Sequence, residues 1–393
     1  MSNFDVIREA DQSFVAGTYG RFPVAIEKGK NATCYDFDGK EYIDFSSGIG
    51  VNSLGFCDEG WINAVTAQLN TLQHISNLYY TKPCIDAAGL LCERTGMKKV
   101  FFSNSGAESN EGAIKCARKY SYDKYGEGRN KVITLVNSFH GRTVTTLSAT
   151  GQDVFHRFFF PFTDGFEFVP ANDIEALKQS LDGTVCAVMV ELIQGEGGVM
   201  PLDTEYVKEI ESICKEYDLI FIVDEVQTGV GRTGELFAFQ HYDITPDIVT
   251  TAKGIGGGLP LGCIIFGEKT ENVFGAGDHA TTFGGNPVAT AGAAYILSRL
   301  DREFLDEVKA KGEYMRKKIM LMPHVEGIDG LGLMMGIRLD DTVKSADVVK
   351  KSIEKGALLL TAKSKVRLLP PLTVSYEEID KGLSAMEAAL KEI

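Results

Sequence analysis

The sequence predicts an α/β protein built on a mostly parallel sheet, on three observations. Through the middle of the 393-residue chain, short apolar runs alternate with helical patterns, as they do in sheets whose strands are joined by helices. Each run ends in polar or glycine-rich residues, and in such sheets ligands bind beyond the carboxyl ends of the strands. Candidate site residues therefore fall on one edge. The two ends of the chain read differently, which predicts a large central domain over 47–287 and a small α+β domain assembled from 1–46 and 288–393.

Taken in order, residues 23–45 read as short β segments around the turn Asp38-Gly39, with alternation in Thr33-Cys34-Tyr35-Asp36-Phe37. Val100-Phe101-Phe102 leads to a helix near Glu108 to Tyr122. Val132 to Val136 leads to Asn137-Ser138-Phe139-His140. Val185 to Ile193 leads, through a glycine-rich turn, to a helix near Thr204 to Tyr217, with Cys214 at a core position beside Val207, Ile210 and Tyr217. Leu219 to Val223 and Ile248 to Thr251 are two further strands. Residues 291–320 and 342–393 are helix-rich with β segments between them, and no internal repeat or low-complexity tract interrupts the chain.

Composition narrows the function classes. Apolar content of 44% and charged content of 24% are those of a globular protein with a large core. A net charge of −14 argues against a nucleic-acid binder, which needs clustered Lys and Arg to neutralise phosphates. The first twenty residues carry no secretion signal, and no apolar stretch approaches the roughly 20 residues of a membrane span. A cytoplasmic protein is expected. The eight cysteines include no Cys-x-x-Cys pair, so they read as reduced, buried thiols rather than as disulfides, a zinc site or catalytic groups. No metal is expected.

The richest segment is Thr251-Ala252-Lys253-Gly254-Ile255-Gly256-Gly257-Gly258. A lysine at the end of a buried strand loses hydration, so its neutral, nucleophilic amine is favoured. The glycines leave room for a flat ligand against the backbone. Twenty-nine residues upstream, the strand 219–223 ends in Asp224, a second lone charge behind an apolar run. An imine-forming lysine with a carboxylate for a pyridinium nitrogen is the minimum equipment of pyridoxal 5′-phosphate chemistry. Equally, Lys253 reads as a solvated strand-end lysine before a glycine-rich loop.

The remaining motifs each carry two readings. Ser105-Gly106-Ala107-Glu108 is a capping box, with Ser105 and Glu108 bonding reciprocally, or a phosphate site on helix-terminal amides. Phe139 is a core aromatic or a ring that stacks on a planar ligand. Arg142 is a surface salt-bridge partner or a two-pronged clamp for a carboxylate. Asp224 caps the next helix or holds a ring nitrogen, and Gln227 lies within reach of the ring's phenolic oxygen. Glu196, in Gln194-Gly195-Glu196-Gly197-Gly198, is a loop acid or a site acid. Arg367 is a lone cation in an apolar run that must find a partner or a ligand. Thr281-Thr282-Phe283-Gly284-Gly285-Asn286-Pro287 is by itself a turn.

Together, in this order, the motifs resemble the class III (subgroup II) pyridoxal phosphate aminotransferases, and are most similar to the acetylornithine group. The resemblance runs from about Thr18 to the C-terminal region. It rests on Tyr19-Gly-Arg-Phe-Pro-Val, Ser76-Asn-Leu-Tyr-Tyr-Thr, Phe102-Ser-Asn-Ser-Gly-Ala-Glu, Phe139-His-Gly-Arg-Thr, Gln194-Gly-Glu-Gly-Gly, Asp224-Glu-Val-Gln-Thr-Gly-Val-Gly-Arg-Thr-Gly, the Lys253 segment and Thr281-Thr-Phe-Gly-Gly-Asn-Pro.

The resemblance implies a fold-type I homodimer with a mostly parallel seven-stranded sheet and a site at the subunit interface. It implies that Lys253 holds the cofactor covalently, Asp224 its ring nitrogen, Gln227 its phenolic oxygen and Phe139 one ring face. Ser105, Gly106 and Ala107 would bind the phosphate, completed by Thr282 from the other subunit. Arg142 would hold the substrate carboxylate, with Thr281 and Tyr19 nearby. Glu196 and Arg367 would act as a switch, paired for the amine donor and parted for glutamate or 2-oxoglutarate. The implied reaction moves the δ-amino group of N2-acetylornithine to 2-oxoglutarate. Succinylornithine, ornithine, 4-aminobutyrate and a diaminopimelate precursor are the rival donors, and an aminomutase or a non-catalytic cofactor-binding protein the rival classes. One segment departs from the pattern: Gly55-Phe56-Cys57-Asp58-Glu59-Gly60 lacks the usual histidine and proline, which leaves its loop structure open.

Overall fold

A computed structural model describes residues 2–393. Its centre is a seven-stranded sheet whose strands we number in chain order: β1 (Lys99–Ser103), β2 (Lys131–Leu135), β3 (Phe166–Val169), β4 (Val185–Val190), β5 (Ile220–Asp224), β6 (Ile248–Thr251) and β7 (Gly262–Phe266). The spatial order is β1-β7-β6-β5-β4-β2-β3. Only β7 runs against its neighbours β6 and β1; the other pairings are parallel.

Period-two side-chain alternation explains why these runs are apolar throughout. In β5, Phe221 and Val223 enter one hydrophobic cluster while Ile220 and Ile222 enter the other. Val249 and Ile248 of β6 divide the same way, as do Ile265 and Ile264 of β7. Each face is covered by helices. Gly106–Tyr125 contributes Ala113, Ile114, Cys116 and Ala117 to one cluster, and Thr204–Glu216 contributes Val207, Ile210, Ile213 and Cys214 to the other.

Two smaller sheets use the chain ends. Ile26–Lys30, Thr33–Asp36 and Glu41–Asp44 form an antiparallel meander, and Ala357–Leu358 joins it in parallel with Ala357 opposite Ile43. Val325–Asp329, Met335–Leu339, Lys365–Leu368 and Leu360–Ala362 form the other, which carries Arg367. No helix among the described residues is long and apolar enough to cross a membrane.

Several expectations change. The strand β7 was not anticipated; its run follows the glycine segment directly and carries no polar break of its own. The run 185–193 is two pieces, because the chain leaves the sheet after Val190 and Ile193–Gln194 pairs instead with Met200–Pro201. Tyr217 is exposed rather than packed beside Cys214. Of the cysteines, Cys57 is exposed rather than buried. The atypical 55–60 loop is well formed: Phe56 bridges to Asn31, and Asp58 caps the helix Glu59–Leu69 by accepting from Trp61 N at 2.9 Å.

Candidate active site

The carboxyl ends of β1, β2, β4, β5 and β6 converge on a cavity of about 420 Å³. Lining it are Ser105, Gly106 and Ala107 after β1, Phe139 to Arg142 after β2, Glu191 after β4, Asp224, Val226 and Gln227 around the end of β5, and Lys253 after β6.

Asp224 is 3% exposed and bonded on several sides. Its Oδ2 accepts from Asn110 Nδ2 and from His140 Nδ1, each at 2.8 Å, and its Oδ1 accepts from Val226 N at 3.0 Å. An ionised carboxylate only accepts, so Nδ1 of His140 carries the proton. Thr250 extends the chain outward by donating to Asn110 Oδ1 at 2.6 Å. The buried Nε2 of His140 has no hydrogen-bond partner among the described residues. The capping reading fails, because no helix follows Asp224 directly: its bond from Val226 N closes a local turn, while the rest of its bonding orients the carboxylate at the cavity.

Lys253 sits in the tight turn Lys253–Ile255 with a φ of 47°, a left-handed conformation that non-glycine residues rarely adopt. Burial pushes its amine below the usual lysine range, Arg367 adds to that, and the attraction of Glu196 and Asp224 opposes it. A neutral amine in a cavity is the form that attacks a carbonyl.

Ser105 caps the helix Gly106–Tyr125, its Oγ accepting from Glu108 N at 3.2 Å. The reciprocal half of the expected capping box is displaced by one residue: Glu108 Oε2 accepts from Asn104 N at 2.6 Å, not from Ser105. A Cβ on Gly106 would come within 2.7 Å of Val226 Cγ1, so only glycine lets this helix end approach the β5 loop.

Arg367 is 3% exposed, and its Nη1 lies 2.5 Å from Glu196 Oε1 and 3.2 Å from Gln227 Oε1. Burial raises the Glu196 pKa, but the Arg367 charge and hydrogen bond outweigh it and hold the carboxyl below its ordinary range. Gln227 therefore joins the Asp224 loop to this ion pair. Arg142 is exposed at the cavity wall and forms no salt bridge among the described residues; its guanidinium lies over the rings of Phe155 and Phe139, 4.1 and 5.6 Å from their centres.

Five anticipated residues do not line the cavity: Glu196 and Arg367 meet it through Gln227, and the other three stand apart. Tyr19 is 73% exposed and packs on Arg21. Thr281 accepts from Asn104 Nδ2 at 3.1 Å but does not line the cavity, and Thr282 is exposed. Conversely, Asn110, His140 and Glu191 carry structure at the site without a role foreseen for them. Glu191 had the same signal as Asp224, a lone acid directly after an apolar strand. Asn110 lies one helical turn beyond Gly106, so it shares that helix's cavity-facing side.

The sequence matches the family described as aminotransferase class-III over residues 14–390. The chain is a class-III aminotransferase. It is 50% identical to the acetylornithine aminotransferase of Haemophilus ducreyi, over 99% of each chain. It is 47% identical to that of Caldanaerobacter subterraneus subsp. tengcongensis, over 98% of each. Among solved structures, ornithine aminotransferase from Toxoplasma gondii superposes with a TM-score of 0.95 at 33% identity, covering 100% of this chain and 96% of that one. N-acetylornithine aminotransferase from Stenotrophomonas maltophilia superposes at 0.85 with 32% identity, covering 98% of each.

Class-III aminotransferases depend on pyridoxal phosphate, and the aminotransferase cavity fits that group. It offers a deprotonation-prone amine, a buried carboxylate whose bonds orient it, an aromatic wall, and a helix end kept open by Gly106.

Proposed function

We propose that this aminotransferase moves the δ-amino group of N2-acetyl-L-ornithine to 2-oxoglutarate, giving N-acetyl-L-glutamate 5-semialdehyde and L-glutamate, a step of arginine biosynthesis. The observation that carries the two-substrate cycle is the buried Arg367 paired with Glu196 behind Gln227. Paired, Arg367 is neutralised and the wall admits an uncharged substrate end; parted, it is a cation for a second carboxylate. The acyl-substrate choice is supported by the names of the full-length relatives at 41–50% identity.

When bound, pyridoxal phosphate supplies an electron sink and a carrier for the amino group. Lys253 is the residue that would attach it, and its amine would serve as the general base for the proton on the donor's δ-carbon. Asp224, oriented by His140 and Asn110, would hold the ring nitrogen. Gln227 would meet the phenolic oxygen, Phe139 would cover a ring face, and Ser105, Gly106 and Ala107 would bind the phosphate. Arg142 holds the α-carboxylate of the donor.

Thr281 and Thr282 enter this reading through a second copy of the chain. Its support is that they lie outside the cavity, in a separate groove with the exposed Leu78 and next to the exposed Phe283. The same reading divides the chain into a large domain, 47–287, and a small domain from 1–46 and 288–393; the Ala357–Ile43 pairing joins those two ends. The eight unpaired thiols suit a cytoplasmic setting.

Comparison of kcat/KM for acetylornithine, succinylornithine, ornithine, 4-aminobutyrate and succinyldiaminopimelate, with glutamate and aldehyde both quantified, tests the assignment. Acetylornithine is expected to lead. Ornithine or 4-aminobutyrate ahead by tenfold would overturn it, and aldehyde without glutamate would overturn the two-substrate cycle.

A further inference from the structure

Arg142 is a cation held by rings rather than by counter-charges. Its guanidinium carbon lies 4.1 Å from the centre of Phe155 and 5.6 Å from that of Phe139, and the two rings meet edge-on at 5.7 Å and 71°. No carboxylate among the described residues pairs with it, so its charge stays available at the cavity wall. Phe155 closes the short turn Asp153–Phe155, its N–H bonding to Gln152 O at 3.0 Å. Gln152 in turn donates through Nε2 to Ser138 O at 3.0 Å, the residue before Phe139. The turn is thus tied to the strand end that carries the other ring.

We propose that Phe155 is a positioning residue for substrate carboxylates: with Phe139 it forms an aromatic seat that holds the Arg142 guanidinium toward the cavity without neutralising it. A long, exposed arginine samples many rotamers, and ordering it on binding weakens affinity. An ion pair would order the side chain but compete with the ligand. A ring quadrupole attracts the cation, fixes its plane and leaves its N–H groups for a two-pronged carboxylate. Phe155 therefore acts on carboxylate affinity and not on the proton transfer at Lys253. The inference rests on Arg142 being the carboxylate clamp.

The test uses the cofactor-loaded enzyme and four variants: Phe155→Leu, Phe155→Tyr, Arg142→Met and the double Phe155→Leu/Arg142→Met. Steady-state constants for the amine donor are measured together with the dissociation constant of glutarate, a dicarboxylate with no amine or keto group. Phe155→Leu should raise KM and the glutarate constant by about threefold to tenfold, the range of one cation–π contact, with kcat within about twofold. Phe155→Tyr should restore the native values. In the Arg142→Met background, Phe155→Leu should add nothing, since a positioning effect needs the arginine to position. Equal constants for Phe155→Leu and the native enzyme, while Arg142→Met raises them, would overturn the aromatic seat alone. An equal loss from Phe155→Leu with and without Arg142 would overturn it too, by showing a packing effect. An Arg142→Met enzyme with unchanged KM and glutarate binding would overturn the clamp and the seat together.

Discussion

Arg367 and Glu196 meet at 2.5 Å although 171 residues separate them, the arginine rising from a strand of a small sheet and the glutamate from a turn after β4. The guanidinium is almost wholly enclosed and the carboxylate is about a third exposed. The acid is therefore the partner free to move, and the arginine stays where a second carboxylate can reach it.

Glu196→Gln removes the counter-charge but keeps the shape. Arg367 is then a standing cation, so the glutamate half-reaction should keep its kcat/KM while the amine-donor half-reaction falls by about tenfold or more. Single-turnover measurement of each half-reaction checks this; equal losses in both would contradict it. The pair also contributes to stability. Because the folded Glu196 pKa is depressed, that contribution is present above about pH 4.5 and is lost as pH falls below it.

Lys253→Ala removes the amine that attaches the cofactor and moves the proton. Turnover should fall by at least about a thousandfold, the upper part of the range for loss of a general base, and the visible absorbance of the attached cofactor should vanish. Retained turnover would remove Lys253 from the mechanism.

Gly106→Ala introduces a Cβ 2.7 Å from Val226 Cγ1. The helix end must shift, and with it the amides offered to the phosphate. Titrating apoprotein with pyridoxal phosphate should give an affinity weakened by about tenfold, as for a contact of roughly 1.4 kcal/mol. Adding Val226→Ala, which removes the obstructing methyls, should recover most of it.

Glu225, beside Asp224, is fully enclosed; it accepts from Thr228 Oγ1 and from Phe239 N at 2.8 Å. Burial pushes its carboxyl up to about 7. Folded Glu225 keeps its proton to about pH 7, while an unfolded glutamate releases it near pH 4.5. The folded state binds more protons in that window, so stability falls as pH rises through it. Glu225→Gln lacks this dependence. Urea unfolding at a series of pH values should find it gaining on the native chain by on the order of 3 kcal/mol between pH 4.5 and 7.

What could be read from residues alone follows what is local. Ile220–Asp224 and Ile248–Thr251 are apolar because both sheet faces are covered, so each strand announces itself and the charge that ends it. Lys253 and Asp224 were visible for that reason, as was Ser105 as a cap. The strand β7 escaped because an antiparallel partner entered straight from a glycine run has no helix to mark it. The reciprocal cap falls on Asn104 rather than Ser105, because it is the Asn104 amide that the fold brings to Glu108 Oε2.

By itself, then, the sequence determined the parallel α/β class, the strand-end lysine and aspartate, and the motif order of the class-III aminotransferases. Only the tertiary structure decided who meets whom. It brought Arg367 to Glu196, set His140 and Asn110 on the Asp224 carboxylate, and seated Arg142 between Phe139 and Phe155. Strand periodicity is written within a few consecutive residues. The meetings of Asp224 with His140 and Asn110, 84 and 114 positions away, and of Arg367 with Glu196, 171 positions away, depend on how strands order across the sheet and on how its helices and smaller sheets pack, and no short stretch of sequence contains that.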